Sequence, residues 1–225
     1  MSYTRGTSTI TAKGLIYHLD IMNPLCNHTT KCYSLKNQEI GNFINGLKYS
    51  IFNGKGSLEF NGIDHYIDLN ENFNFIDEQS IEVWIKPNST GPTYQRILDK
   101  SEGNNALKGY ALIYHPILNM VYYVVNDGIN KDMVACKIPS NKWVNIIATK
   151  NNNTYKIYVN GELKNQNTGN SNFLLTNNNL RIGAYTQSDK KNFKGNLSIV
   201  KIYNNALTSK EININYKALK GRFIN

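Results

Sequence analysis

Short β-type segments punctuated by Asn, Gly, Pro and Asp recur from Leu15 to Tyr203, and that rhythm limits the fold more than any other feature of the chain. Such segments, with turn residues rather than amphipathic helices between them, belong to antiparallel sheets and not to βαβ units. The clearest are Leu15 to Leu19, Ser57 to Phe60, Tyr66 to Leu69, Ser80 to Lys86, Arg96 to Lys100 and Tyr110 to Tyr114. After them come Met120 to Asn126, Met133 to Ile138, Trp143 to Lys150, Tyr155 to Val159, Leu180 to Ala184 and Leu197 to Tyr203. They amount to about a dozen strands, enough for two packed sheets. The firmest local reading is the hairpin at Asn160-Gly161, a pair that supplies the two positive φ angles of a type I′ turn.

Alternation assigns faces. In Ser80 to Lys86, Ile81, Val83 and Ile85 point one way, while Glu82, Trp84 and Lys86 point the other. The first set is read as core. Trp84 is then placed on a second, concave face, either open or covered by a loop, and Glu82 is read as facing solvent. One helix is predicted near the C-terminus: Thr208-Ser209-Lys210-Glu211 forms a capping box, and Leu207 with Ile212 forms a hydrophobic staple. Ile212, Tyr216 and Leu219 share one face, and Gly221 is read as a left-handed cap that ends the helix. The stretch Ile21 to Ser50 is predicted to be a long loop or a pair of short edge strands. Together these give an all-β domain over residues 13–225 behind a polar arm, residues 1–12.

Composition removes several function classes. Hydrophobic residues at 40% and charged residues at 18% describe a chain with a core rather than a disordered one. The net charge of +9 is spread over singly placed lysines, which reads as a solvated surface and disfavours nucleic acid as a partner. Cys26, Cys32 and Cys136 lack metal-ligand spacing, although Cys26 and Cys32 could pair across a short loop. Met1 to Thr11 has no apolar leader, and no apolar run is long enough to insert in a membrane.

Catalytic patterns are missing. His18, His28, His65 and His115 are isolated, without a nucleophile elbow or an H-E-x-x-H helix. Asp77, Glu78 and Glu82 do not form the alternating acidic trio of a retaining glucanase, so the chain is read as non-enzymatic. Aromatic side chains that could stack on sugar rings are Trp84, Tyr94, Tyr110, Tyr122 and Tyr185.

Along nearly its whole length the chain resembles laminin-G-like domains of bacteriophage virion proteins, within the concanavalin A-like superfamily. The resemblance opens with Gly14-Leu15-Ile16-Tyr17-His18-Leu19-Asp20 and Asn23-Pro24, and continues through Ser57 to Leu69 and the Trp84, Trp143 and Tyr158-Val159-Asn160-Gly161 segments. It closes with Gly195 to Tyr203, Ala206-Leu207-Thr208, Glu211-Ile212, Asn215-Tyr216 and Gly221-Arg222-Phe223. It implies a two-sheet antiparallel jelly-roll sandwich with a short C-terminal α-helix. The function it implies is that of a virion structural protein: a capsid decoration, head-fibre or tail-associated subunit, homo-oligomeric, contacting other virion proteins. Such a subunit would be made in the host cytoplasm and displayed on the particle surface, with the N-terminal arm as attachment. A free carbohydrate-binding lectin is the alternative, cell-surface polysaccharide being the partner, and a glycoside hydrolase the minor one. The resemblance also raises Ca2+ as the one cofactor to consider, with Asp20, Asn23, Asp64 and Asp68 as oxygen donors. Asp and Asn beside turns also cap backbone amides without any metal.

Overall fold

A computed structural model describes residues 9–52, 55–71, 73–102, 108–185 and 191–224. In chain order the strands are β1 (Leu15–Asp20), β2 (Lys31–Tyr33), β3 (Ile40–Ile44), β4 (Tyr49–Phe52), β5 (Lys55–Asn61), β6 (Tyr66–Asp68), β7 (Glu78–Pro87) and β8 (Gln95–Glu102). They continue with β9 (Lys108–His115), β10 (Met120–Asn126), β11 (Lys131–Lys137), β12 (Val144–Asn151), β13 (Thr154–Val159), β14 (Glu162–Thr168), β15 (Arg181–Ile182) and β16 (Lys194–Tyr203). One α-helix, α1 (Ser209–Phe223), follows. The strands form two antiparallel sheets. One has the order β14-β13-β12-β7-β16-β5-β4, with β1 also paired to β16; the other runs β11-β10-β9-β8-β15-β6-β3-β2.

Between the sheets lies one core. Alternation delivers Ile81, Val83 and Ile85 from β7, Ile146 and Ala148 from β12, Leu112 and Tyr114 from β9, and Val121, Tyr123 and Val125 from β10. The Asn160-Gly161 turn has φ of 52° and 80°, as the type I′ geometry requires. Asn160 also accepts the Asn145 N–H through Oδ1 at 3.0 Å, which fastens the turn to β12.

The middle of the first sheet is buried on both faces, because α1 seals its outer side. Trp84 is fully buried there, with the Phe223 ring stacked on it at 4.4 Å and Tyr216 at 6.0 Å. The cover is therefore the helix rather than a loop. Glu82, expected in solvent, is also fully buried: it pairs with Lys201 at 3.1 Å and accepts from Asn215 and Asn145. The helix starts as predicted, with both halves of the Thr208/Glu211 capping box in place. It does not stop at Gly221. Because Phe223 is anchored between Trp84 and Trp143, the last turn is held helical through Phe223, and Gly221 sits inside it without a positive φ.

The least regular segment resolves into β2, β3 and β4, of which β2 and β4 are edge strands. Cys26 and Cys32 are free and buried, not paired. Cys26 Sγ instead accepts the Asp20 N–H at 3.3 Å, and Cys32 opposes Asn27 in an isolated bridge. Of the predicted arm, residues 1–8 lie outside the described residues. Residues 9–12 lie on the domain: Ile10 packs against the Leu15, Ile147 and Leu207 cluster, and the Thr11 N–H donates to Asn215 Oδ1 at 2.8 Å. Among the described residues no helix is long and apolar enough to cross a membrane.

Candidate functional site

Among the described residues no helix covers the outer face of the second sheet, and register decides which side chains that face presents. One cross-strand row reads Ala135, Tyr122, Ile113 and Arg96 from β11 to β8. The adjacent row reads Met133, Val124, Ala111 and Asp99, then passes to Arg181 on β15 and Asp68 on β6. In a regular strand Arg96 and Asp99 would face opposite ways. A register shift between Arg96 and Leu98 inserts one residue, so both lie on the outer side of the sheet, nearly buried, and form an ion pair at 2.9 Å. The face is thus aliphatic and aromatic toward β11 and charged toward β6.

The apolar half forms a depression of about 310 Å³ lined by Tyr94, Arg96, Ile113, Tyr122, Val124, Lys131, Met133 and Lys191. That volume is at the small end of ligand pockets, which run from about 300 to 1,000 Å³. Tyr94 is its most distinctive member. It is 49% exposed, and its backbone is left-handed with φ of 57°. A bulky side chain in that region costs about 1–2 kcal/mol. The ring is nevertheless held, edge-on to His115 at 4.8 Å and tilted toward Tyr122 at 6.4 Å, while the Tyr94 carbonyl accepts from Arg96 Nη1 at 3.3 Å. Tyr185 lies behind the rim, nearly buried, with the Arg96 guanidinium and the Lys191 ammonium each over its ring.

Of the five aromatic candidates, Tyr94 and Tyr122 therefore meet at one groove and Tyr185 supports its wall. Trp84 is on the other sheet beneath α1, and Tyr110 is in the core, bonded to the Phe73 carbonyl and packed on Phe75 and Phe173. Neither offers a face to a sugar. Arg96, Lys131, Met133 and Lys191 were not among the sequence candidates. Period-two alternation within β10 and β11 places Tyr122 and Val124, and Lys131 and Met133, on common faces. The pairing that joins those faces, and the bulge that turns Arg96 outward, have no local signature.

The four oxygen donors considered for Ca2+ are not brought together. Asp20 makes a bidentate pair with Arg222, both contacts at 2.8 Å, and accepts the Met22 N–H. Burial opposes its ionisation, but the guanidinium outweighs that and holds the carboxyl below its ordinary pKa. Asn23 caps a short 3-10 turn through the Leu25 N–H; Asp64 accepts from Asn61; Asp68 accepts from Asn179 and Arg181. Each serves a protein donor, and among the described residues no three acidic, His or Cys groups cluster as a metal would need.

A larger hollow, about 600 Å³, lies between the Asn151–Asn153 tip and the start of α1. Its one aromatic, Tyr158, is buried with its hydroxyl 3.3 Å from Ser209 Oγ, so no ring face is available there. The exposed Tyr94 ring, with the half-buried Tyr122 beside it, makes the smaller groove the better candidate site.

A two-sheet antiparallel sandwich with a helix packed over one sheet defines the class: a lectin-like jelly roll. The chain belongs to the concanavalin A-like lectin/glucanases superfamily, whose family model matches residues 61–213. Among solved structures, domain 4 of an extracellular arabinanase from Geobacillus stearothermophilus, determined with arabinotriose, superposes with a TM-score of 0.65 at 18% identity. That match covers 88% of this chain and 96% of the arabinanase domain. The binding domain of Paraclostridial Mosquitocidal Protein 1 gives a TM-score of 0.69 at 15% identity, covering 90% of this chain and 52% of the other. A structure of botulinum neurotoxin type C, whose cell entry depends on interaction with two ganglioside molecules, gives 0.65 at 21% identity, over 92% of this chain and 51% of the other. This chain thus spans about half the length of the toxin structures it resembles. No curated protein matches it in sequence.

Proposed function

We propose that this domain binds saccharides, without cleaving them, in the groove of its open sheet. The observation that carries the reading is the pair Tyr94 and Tyr122 over an aliphatic floor of Ile113, Val124 and Met133, rimmed by hydrogen-bond donors. Sugars present C–H faces that suit such rings and hydroxyls that suit such a rim. The arabinotriose held by the arabinanase domain and the gangliosides used by the neurotoxin support the ligand class. The face carries two carboxylates, Asp99 and Asp68, each bonded to an arginine and two strand spacings apart, about 10 Å. Both carboxylates are committed to a guanidinium, Asp99 to Arg96 and Asp68 to Arg181, which argues against either serving as nucleophile or general acid.

The test is a glycan array followed by calorimetry on the best ligand with Tyr122→Ala. Loss of about 1–2 kcal/mol, a roughly tenfold drop in affinity, is expected when the ring is removed. Silence across the array, or Tyr122→Ala binding as tightly as the parent, overturns the reading.

Display on a bacteriophage particle is the setting we infer from the opening and closing motifs, with the domain in a homo-oligomeric subunit facing host polysaccharide. Mass spectrometry of purified particles tests it, and particles lacking the chain overturn it.

A further inference from the structure

Among the described residues, the groove gathers more positive charge than its acids neutralise. Arg96 on β8, Lys131 at the start of β11 and Lys191 just before β16 all line it. Arg96 and Lys191 are held side by side by the backbone, the Arg96 N–H donating to the Lys191 carbonyl at 2.8 Å, in a parallel bridge between Arg96 and Asn192. Their charged ends share one aromatic surface, 5.0 and 5.1 Å from the centre of the Tyr185 ring. Among the described residues a single carboxylate, Asp99, is ion-paired with this group, through Arg96. Lys131 and Lys191 make no ion pair there with any described residue.

Among the described residues, three cations face one carboxylate in a partly dry hollow, an arrangement the free protein holds at a cost. Burial and the Arg96 charge both push the Lys191 pKa down, Lys131 adds to the shift, and Asp99 offsets part of it. An anion entering the groove would relieve that repulsion, and its attraction to the lysines would exceed that of a fully solvated pair. The shape limits what carries the anion. A single-stranded nucleic acid needs a basic track along its backbone, whereas here the cations converge on one depression of about 310 Å³ whose floor is aliphatic. A ring-sized body with one charged substituent fits both halves.

We propose that the groove selects saccharides bearing an anionic group, a carboxylate, sulfate or phosphate, seated among Arg96, Lys131 and Lys191 while the sugar ring lies over Tyr122, Val124 and Met133. The proposal rests on the glycan-binding reading above and adds the ligand's charge to it.

The experiment is calorimetry on the full chain with acidic oligosaccharides, each paired with its neutral form. Trigalacturonate is run against its methyl ester, a sulfated oligosaccharide against its desulfated form, and a phosphorylated one against its dephosphorylated form; inorganic sulfate and oligo(dT) serve as controls. At least one acidic member should bind tenfold or more tightly than its neutral partner. The Lys131→Gln/Lys191→Gln double variant, checked for folding by near-ultraviolet circular dichroism, should lose that preference and bind each acidic oligosaccharide no more tightly than its neutral partner. The three pairs tell carboxylate, sulfate and phosphate apart. Equal binding of acidic and neutral forms, with Tyr122→Ala abolishing both, overturns the charge proposal and leaves glycan binding standing. Binding of inorganic sulfate as tight as that of the oligosaccharide, or tighter binding of oligo(dT), also overturns it. No saccharide bound at all removes the glycan reading itself.

Discussion

Tyr94 spends conformational energy to stand where it does. Its left-handed backbone would be free for glycine, and a ring held there at a cost is more often a feature of a binding site than of packing. Replacing it by glycine removes the strain and also the contacts with His115 and Tyr122, so stability should change by no more than about 1 kcal/mol. Affinity for the groove's ligand should meanwhile fall several-fold. Urea denaturation and calorimetry on Tyr94→Gly check both halves; a large loss of stability would make Tyr94 a packing residue instead. Arg96 works at the same scale. The extra residue in β8 that turns it outward also gives it Asp99 as a partner, so one local irregularity creates both the charge and its tether.

At the scale of elements, α1 is defined more by what it covers than by its own sequence. Gly221 lies in its last turn with open space around the position a Cβ would take. Gly221→Ala should therefore stabilise the domain by about 0.5–1 kcal/mol, whereas a left-handed cap would be destabilised by the same change. Phe223→Ala should cost about 3–5 kcal/mol and shift Trp84 emission to the red, because the ring that shields the indole is lost. Thermal unfolding followed by fluorescence measures both. Gly221 shows why the end of this helix was hidden in the sequence: Gly is the common cap, and only the distant Trp84 and Trp143 reveal that the helix must continue. Strands with one apolar face were readable, as in β7, β10 and β12, because alternation is a local signal. By contrast, β14 is exposed at every position, Glu162 to Thr168, and carries no alternation to read. Its Asn165 and Asn167 side chains reach across to the Ala135 and Met133 carbonyls of β11, a role that depends on the sheets already being stacked. The groove follows the same division. Tyr94 and Tyr122 were named as stacking candidates together with Trp84 and Tyr110, which are buried, while Lys131 and Lys191, sixty residues apart in sequence, become partners only through the fold.

Across the whole molecule, acid should loosen the fold before the core itself fails. His18 on β1 has its pKa lowered to about 4, first by burial and then by the Lys201 charge, with Arg222 adding and Asp20 opposing. A group whose pKa drops on folding binds its proton in the unfolded chain first. The stabilisation is therefore intact above about pH 6.5 and is lost progressively as pH falls toward 4, with the Asp20 and Arg222 pair weakening below that as its lowered carboxyl takes up a proton. Unfolding free energy should fall by about 2 kcal/mol between pH 7.5 and 4.5, and His18→Gln should flatten that slope. An unchanged slope in the variant would assign the loss to other groups. Both ends of the described chain lie with α1: Thr11 is bonded to Asn215, and Ile224 packs beside Trp84. The groove is on the opposite side of the sandwich. Copies of the domain fixed to a common support on the α1 side would all turn the groove outward, and any grip the groove has would grow with the number of copies rather than with the strength of each.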